Sequence, residues 1–471
     1  MNKNFYGNLN DLENVLNNLK ISYKIKGDKI LLKDGTIEFQ EKDLPIRSFS
    51  VTRFAPRGLE LRTMDVDSEL LDQICLAYNQ NEIDAIIRDM PVVHWYSSSH
   101  KDTLKDVAII WRDHFLEENV GLLSGFVRMG VKPENILAID KGDSTRHRFE
   151  IRETFKKLGF HVNVLDNTDV DNEELMKIGK KLIFDFIKAR KNLKVIVLDD
   201  GAIVTKILDK KHFDNVVGIV ELTEMGLRRI RPNQDKLLYP VLNVAKTKLK
   251  RHITYTEISS SIFTRIIELL GGEKLVGRSV VMCGYGDLGE ILADRLRSYG
   301  VRVTVVDVDT LRLIIAAERG YMTYKSCYDA VKNEKPFMII GASGYRSITE
   351  EVIQMLPDYG YVTSGATADL HAFRDFEARG ETFQKVDKYG TQYYVFGKHV
   401  DVLGNGRSVN LFDSEAIPNK SNDVFKAAQL LTAYNMISQK TLENKLEVNI
   451  VDEWIEESGI LDKYYSLYME K

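Results

Sequence analysis

Gly277–Asp307 reads GRSVVMCGYGDLGEILADRLRSYGVRVTVVD. Ser279–Cys283 is a short apolar run with β-branched residues, the pattern of a buried parallel strand. Gly284-Tyr285-Gly286-Asp287-Leu288-Gly289 follows with no spacer. Glu290–Ser298 has helical periodicity, Gly300 stops it, and Val301–Val306 is a second apolar strand ending at Asp307. In such a unit the first glycine permits a tight turn. The second lets the backbone approach a pyrophosphate, and the third lets helix and strand pack closely. The helix start adds free N–H groups and a positive dipole end. Asp307 can accept from the two hydroxyls of an adenosine ribose and would repel a 2′-phosphate, so NAD is expected rather than NADP. Arg312, close behind, is the residue that would counter that preference. A glycine turn by itself also fits an ordinary α/β domain. Both strands, the helix and the acid in register favour a dinucleotide.

Working outward, 471 residues suit two or three domains. A composition 44% hydrophobic and 28% charged is that of a globular chain with a sizeable core. The net charge of −4 gives no reason to expect nucleic acid or an anionic membrane as partner. The first residues, MNKNFYGNLNDLENVLNNL, lack an apolar signal core, and no apolar run approaches membrane-spanning length, so a cytoplasmic protein is expected. Cys75, Cys283 and Cys327 are scattered without metal-ligand spacing; reduced thiols and no metal site are expected.

Residues 1–89 read as a small α+β module, with a helix over Asn8–Leu19, a hairpin at Lys33-Asp34-Gly35, a second hairpin pairing Phe49–Phe54 with Leu59–Thr63, and one helix over Leu70–Arg88. From Met90 strands and helices alternate. Strands over Asp106–Ile110, Ile136–Asp140, His161–Leu165, Lys194–Leu198 and Val216–Val220 end near polar residues, His114, Lys141, Asp199-Asp200 and Glu221 among them. Open α/β sheets bind ligands at such carboxyl ends. Lys246–Arg251 reads as a basic extended segment. A hairpin is expected between Tyr393–Val402 and Ser408–Leu411, and a long amphipathic helix over Ser421–Ser438.

With those residues in hand, the chain resembles the S-adenosylhomocysteine hydrolases from about Met90 to about Gln439. GYGDLG is similar to that family's cofactor loop, and Leu198-Asp199-Asp200-Gly201 to its L-D-D-G-G. Gly218–Gly226 is similar to its G-I-S-E-E-T-T-T-G, Pro240–Val244 to its P-A-I-N-V, and Gly406–Leu411 to its G-R-L-V-N-L. His114 with Glu118 falls at its H-x-T-x-E, and Ser144-Thr145 at its S-T-Q-D. The order of the matches is more specific than any one of them. The resemblance implies an α/β fold in which a Rossmann-type NAD-binding domain (251–415) is inserted in a second α/β, substrate-binding domain (90–250). C-terminal helices (416–471) return to that substrate domain, and the module at 1–89 stands apart. It also implies NAD as cofactor, an adenosine-like small molecule as partner, a homo-oligomer, and oxidation of a ribose 3′-hydroxyl that acidifies the neighbouring carbon. By matched position, Lys250, Asp200 and His114 are the candidate catalytic residues. Gly284, Tyr285, Gly286, Asp287, Leu288, Gly289, Asp307, Thr223 and Asn410 are the candidate cofactor residues.

The departures are as informative. The family's second glutamate in E-E-T-T-T is Leu222, and the Asp-Asn pair after its lysine is Thr254-Tyr255. Its two later catalytic histidines fall at Ala366 and Ile417. Lys463 and Tyr468 are one residue too far apart to match the tail that reaches a partner subunit's NAD. On their own, Lys250 in a basic run fits a solvated side chain, His114 a structural histidine, and Asp199-Asp200-Gly201 a plain turn. Two readings follow: an NAD-dependent enzyme that keeps sugar oxidation but is no efficient S-adenosylhomocysteine hydrolase, or a non-catalytic NAD-binding sensor or scaffold.

Overall fold

Runs of β-branched residues become the central strands of two largely parallel sheets, because a strand covered on both faces has no polar side to show. A computed structural model describes residues 2–45, 47, 57–166, 172–386, 389–438, 442–447 and 449–470. The chain divides into two compact units: Met1–Gly142, His147–Ala245 and Pro418–Lys471 form the first, and Asp143–Arg146 with Lys246–Ile417 the second.

The first unit opens with a five-stranded antiparallel sheet of β1 (Asn2–Phe5), β2 (Tyr23–Lys26), β3 (Lys29–Leu32), β4 (Gly35–Asp43) and β5 (Arg57–Met64), in the order β1-β5-β4-β3-β2. Leu12, Leu16, Ile30, Ile37, Leu59 and Leu61 form its core. The hairpin at Lys33-Asp34-Gly35 is present; Phe49–Phe54 lies outside the described residues. This module is not a separate body. Tyr78 donates its N–H to Thr154 Oγ1 (2.8 Å) and its hydroxyl to Glu117 (2.7 Å). The single helix expected over Leu70–Arg88 is two, Ser68–Cys75 and Gln80–Arg88. The buried Arg47 guanidinium takes up the carbonyls of Cys75, Leu76 and Ala77, and Asn79 starts the next helix with a capping box.

The parallel sheet of the first unit contains β6 (Val107–Asp113), β7 (Ile136–Asp140), β8 (His161–Val164), β9 (Lys194–Asp199), β10 (Val216–Glu221) and β11 (Val241–Asn243), with Leu446–Glu447 beside β11. Its order from that edge is β11-β10-β9-β6-β7-β8. The strand expected to stop at Ile110 runs on to Asp113, which carries Trp111, Arg112 and Asp113 into the buried layer.

The second unit holds β12 (Ser279–Cys283), β13 (Arg302–Val306), β14 (Met322–Tyr324), β15 (Met338–Gly341), β16 (Gly360–Ser364), β17 (Thr382–Val386), β18 (Gly390–Val395) and β19 (Lys398–Leu403). Their order is β14-β13-β12-β15-β16-β19-β18-β17, parallel as far as β19 and antiparallel beyond. The expected hairpin turn at 403–407 lies instead at Phe396-Gly397, where both residues have positive φ (54° and 73°), the backbone a tight hairpin needs. Lys246–Arg251 is not extended: Lys250–Thr254 is a π-turn running into the helix Tyr255–Leu269. Cys283 and Cys327, expected as thiols, are joined by a disulfide, their Cα atoms 6.4 Å apart. Cys75 is a buried thiol. Among the described residues no helix is long and apolar enough to cross a membrane.

Candidate functional site

In the second unit the glycine turn joins β12 to the helix Asp287–Ser298. Gly284 has φ +111°, and a Cβ on it would lie 2.5 Å from the Ser343 nitrogen. Gly289 sits so close to the turn that its Cβ would stand 2.1 Å from the Gly284 carbonyl. Gly286 differs, since a Cβ there meets nothing within 4 Å. It is also the N-cap, with no side chain capping the helix. Open space in front of uncapped helix N–H groups fits a pyrophosphate. Asp307, at the end of β13, accepts from the N–H of Tyr285 (2.7 Å) and of Asp309 (2.9 Å). Its carboxylate is thereby fixed against the turn. Arg312 is turned to Asp287 (3.0 Å) and Glu290 (3.4 Å).

The other candidate cofactor residues divide. The Tyr285 ring is buried against Tyr321, and Leu288 packs on the core, so the turn offers their backbone rather than their side chains. Asn410 is buried, with its side chain 2.7 Å from Ser408 Oγ, which lies 2.9 Å from Gly365 O beyond β16. Asn410 thus stands at the same carboxyl edge as the glycine turn. Thr223 belongs to the first unit, where it caps the helix Glu224–Ile230 and donates to Glu221 (2.8 Å).

These features fit NAD, and the turn gives a direct check. Gly286→Ala is expected to fold and melt like the parent, because its methyl meets no protein atom, and to lose at least about tenfold in NAD affinity by filling the phosphate space. Calorimetric titration with NAD beside a thermal melt reads both.

The carboxyl edge of the first unit's sheet carries a buried charged cluster. Lys141, one residue past β7, pairs with Asp200, one residue past β9. The same ammonium lies 3.2 Å from His114 Nε2. A lysine ammonium only donates, so Nε2 is the accepting nitrogen and a neutral His114 carries its proton on Nδ1. Buried Arg112 donates to the carbonyls of Leu165 and Asp200 and braces the loops after β8 and β9. Asp113 accepts from the His114 N–H (2.7 Å) and pairs with Lys426 (3.1 Å). Lys426 also faces Glu118 at 3.9 Å, and Asn422 donates to Glu118 at 3.1 Å. Burial pushes the Glu118 carboxyl up to about 7, against the pull of Lys426. Asp113, His114 and Asp200 offer ligand atoms within 4.8 Å of one another. Lys141 already bonds two of the three and supplies a positive charge there.

Of the candidate catalytic residues, His114 and Asp200 therefore share one cluster in the first unit. Lys250 is a buried residue of the second, with its Nζ 5.9 Å from the Tyr255 ring centre. Sequence reasoning set Lys141 at the ligand-binding strand ends without giving it a role, and missed Asp113, Lys426 and Asn422 as members of a site. Lys141 had a signal, lying just past a strand as Asp200 does. Lys426 had a weaker one: Asn419, Asn422, Lys426 and Gln429 put a polar stripe on a helix where an apolar face belongs.

Glu221, at the end of β10, accepts from Gly201 N–H and from both donors of Thr223. Burial first, then Asp199 and Asp200, push its carboxyl up to about 8. A folded value above the unfolded one means stability present at low pH and lost as pH rises through about 8. Glu221→Gln keeps the accepting oxygen without the charge. It is expected to match the parent melting temperature near about pH 5 and to exceed it by roughly 5 °C near about pH 9. Parallel melts across that range decide it.

A family model for the S-adenosyl-L-homocysteine hydrolase NAD-binding domain matches residues 267–416, the segment that holds the glycine turn, Asp307 and Asn410. Over that segment the chain is similar to the adenosylhomocysteinases. Its second unit carries that family's NAD-binding domain, and the cofactor is NAD. The adenosylhomocysteinase of Thermoplasma acidophilum is 27% identical over 262 residues, covering 53% of this chain and 63% of the relative. That of Archaeoglobus fulgidus is 31% identical over 263 residues, with the same coverage. The chain thus spans 63% of the length of these curated adenosylhomocysteinases. Among solved structures, a dipicolinate synthase chain from Bacillus halodurans aligns over 70% of this chain and 98% of its own, at 15% identity and a TM-score of 0.39.

Proposed function

We propose that the protein is an NAD-dependent enzyme that oxidises a sugar hydroxyl, the 3′-hydroxyl of an adenosine-like nucleoside, without efficient hydrolysis of S-adenosylhomocysteine. The observation that carries this reading is the buried Lys141–Asp200 pair beside His114 at the carboxyl edge of a parallel sheet. Ion pairs withdrawn from water are costly and seldom improve stability, so several at one sheet edge mark a site kept for chemistry. NAD, when bound, accepts a hydride from the sugar carbon. Lys250 takes the hydroxyl proton. Asp200, anchored by Lys141, orients the sugar by accepting from its hydroxyls. His114 Nε2 faces the ammonium and takes or returns a proton when that contact is exchanged for substrate. Ala366 and Ile417 offer no proton-transfer group for elimination at the 5′ carbon, which favours a reaction that ends at, or turns aside after, the oxidised sugar.

The test is absorbance of NADH on adding adenosine, and then other nucleosides, to NAD-loaded protein. A rise with one nucleoside supports the enzyme reading. No rise with any of them, in protein that holds NAD, supports the sensor or scaffold instead.

A further inference from the structure

Asp287 presents an electrostatic difficulty. It is the first residue of the helix Asp287–Ser298, so its carboxylate stands in the turn where two phosphate charges arrive. An acid there favours the bare helix end but opposes an incoming anion. Two guanidinium groups answer it. Arg251 Nε lies 3.0 Å from one carboxylate oxygen, and Arg312 Nη2 lies 3.0 Å from the other. Both arginines remain partly open to solvent, with side chains 47% and 30% exposed. Arg251 and Arg312 thus offset the Asp287 charge at a turn that also holds the Asp307 carboxylate, with Arg312 shared between Asp287 and Glu290.

The pairs continue down the helix. Arg312 and Arg319 both reach Glu290, and Arg319 and Arg297 both reach Asp294. Glu290 and Asp294 lie one and two turns beyond Asp287, so Arg319 and Arg297 pair on the same helix away from its N-terminal end. Arg251 comes from a different element, the π-turn Lys250–Thr254. π-turns are rare and cluster at functional sites. This one aims Arg251 at the cofactor turn while its neighbour Lys250 is buried.

We propose that Arg251 and Arg312, seated on Asp287, are pyrophosphate-binding residues for NAD in this chain. The glycine turn supplies N–H groups, and the arginine pair supplies the charge that Asp287 would otherwise take away. Guanidinium groups suit the task because their planar forks bind phosphate oxygens while keeping a second contact to a carboxylate. The pair also ties cofactor loading to the turn that carries Lys250. The inference rests on the cofactor reading above.

The experiment is calorimetric titration of full-length Arg251→Met, Arg312→Met, the double variant and Arg319→Met with NAD, at low and at high salt. Each single substitution is expected to weaken NAD about 5–10-fold at low salt, and the double about 30-fold or more, with smaller losses at high salt. Arg319→Met should bind like the parent, and Arg251→Lys should recover part of the loss. Arg251→Met and Arg312→Met binding NAD within twofold of the parent would overturn the proposal. So would Arg319→Met losing as much as they do, since the ladder would then only stiffen the helix. If the methionine singles do not fold, Arg251→Gln decides: binding within twofold of the parent at low salt counts against a phosphate contact. A parent protein that binds no NAD fails the cofactor reading itself, whereas tight binding indifferent to the arginines fails this proposal alone.

Discussion

Lys250→Ala is expected to hold NAD with nearly unchanged affinity and to lose at least about 10³-fold in NADH formation with the nucleoside that the parent oxidises. Removing a hydride from a carbinol requires that the hydroxyl proton leave with it. A lysine held out of water can pass a proton, whereas arginine stays charged. Lys250 is buried, and its backbone is set by the π-turn, where its N–H meets Thr247 Oγ1 at 3.3 Å. It lies outside the glycine turn, so its loss leaves the phosphate cradle intact. The check is a pair of measurements on one preparation, NAD titration and nucleoside-driven absorbance. Turnover equal to the parent's would remove Lys250 from the site. Loss of NAD binding along with turnover would make it part of the cofactor pocket instead.

S-adenosylhomocysteine loaded onto the NAD-bound protein should release homocysteine at least about 10²-fold more slowly than an ordinary enzymatic rate of about 1 s⁻¹. Elimination and water addition at the 5′ carbon need acid and base groups beside that carbon. By the order of the sequence matches, Ala366 and Ile417 fall at the positions expected to hold two of those groups, and Ile417 is buried. The histidine nearest in sequence to Ala366 is His371, and its ring contacts Arg346 at 2.8 Å rather than turning to the Ser364–Ala366 loop. Leu222 is a buried apolar residue where a glutamate is expected, and Thr254 is buried in the π-turn in place of an aspartate. Each lost proton-transfer group costs about 10²–10⁴ in rate, and losses within one constellation do not simply multiply. Thiol release measured with a chromogenic disulfide gives the answer. A rate on the order of 1 s⁻¹ would mean that other groups do this work.

The dinucleotide unit was legible because its signals are short-range. Strand, glycine turn, helix and acid follow one another within Gly277–Asp307, and β12 and β13 fall inside the apolar runs that mark them. The charged cluster was half legible. His114 and Asp200 came from matched order along the chain. Lys426 did not, because its partner Asp113 lies 313 residues earlier and no local pattern connects them. The π-turn was hidden for another reason: a basic run such as Lys246–Arg251 says nothing of which cation faces solvent and which is buried. The hairpin at Phe396-Gly397 lacks the Asn-Gly or Asp-Gly pair that advertises a tight turn, and Gly404-Asn405-Gly406 nearby drew the assignment to itself.

The helix Asn419–Ser438 has a consequence for the order in which the molecule folds. Its Asp423 caps the helix Pro91–Ser99 by accepting from the N–H groups of Val92 and Val93, at sequence separations of 331 and 330. The first unit cannot finish its core until that distant segment arrives. Closing so long a chain is slow, although each doubling of loop length adds only about 0.6 kcal/mol of entropic cost. The second unit shortens the search. Almost all of it is the unbroken stretch Lys246–Ile417, so its own contacts are nearer in sequence. Within it Arg265 holds the carbonyl of Phe412 (3.0 Å), and Ser261 holds that of Ala416. The helix Tyr255–Leu269 is therefore held to the segment Phe412–Ala416, so the last residues of this unit are fastened to its first long helix before the chain goes on to Asn419–Ser438.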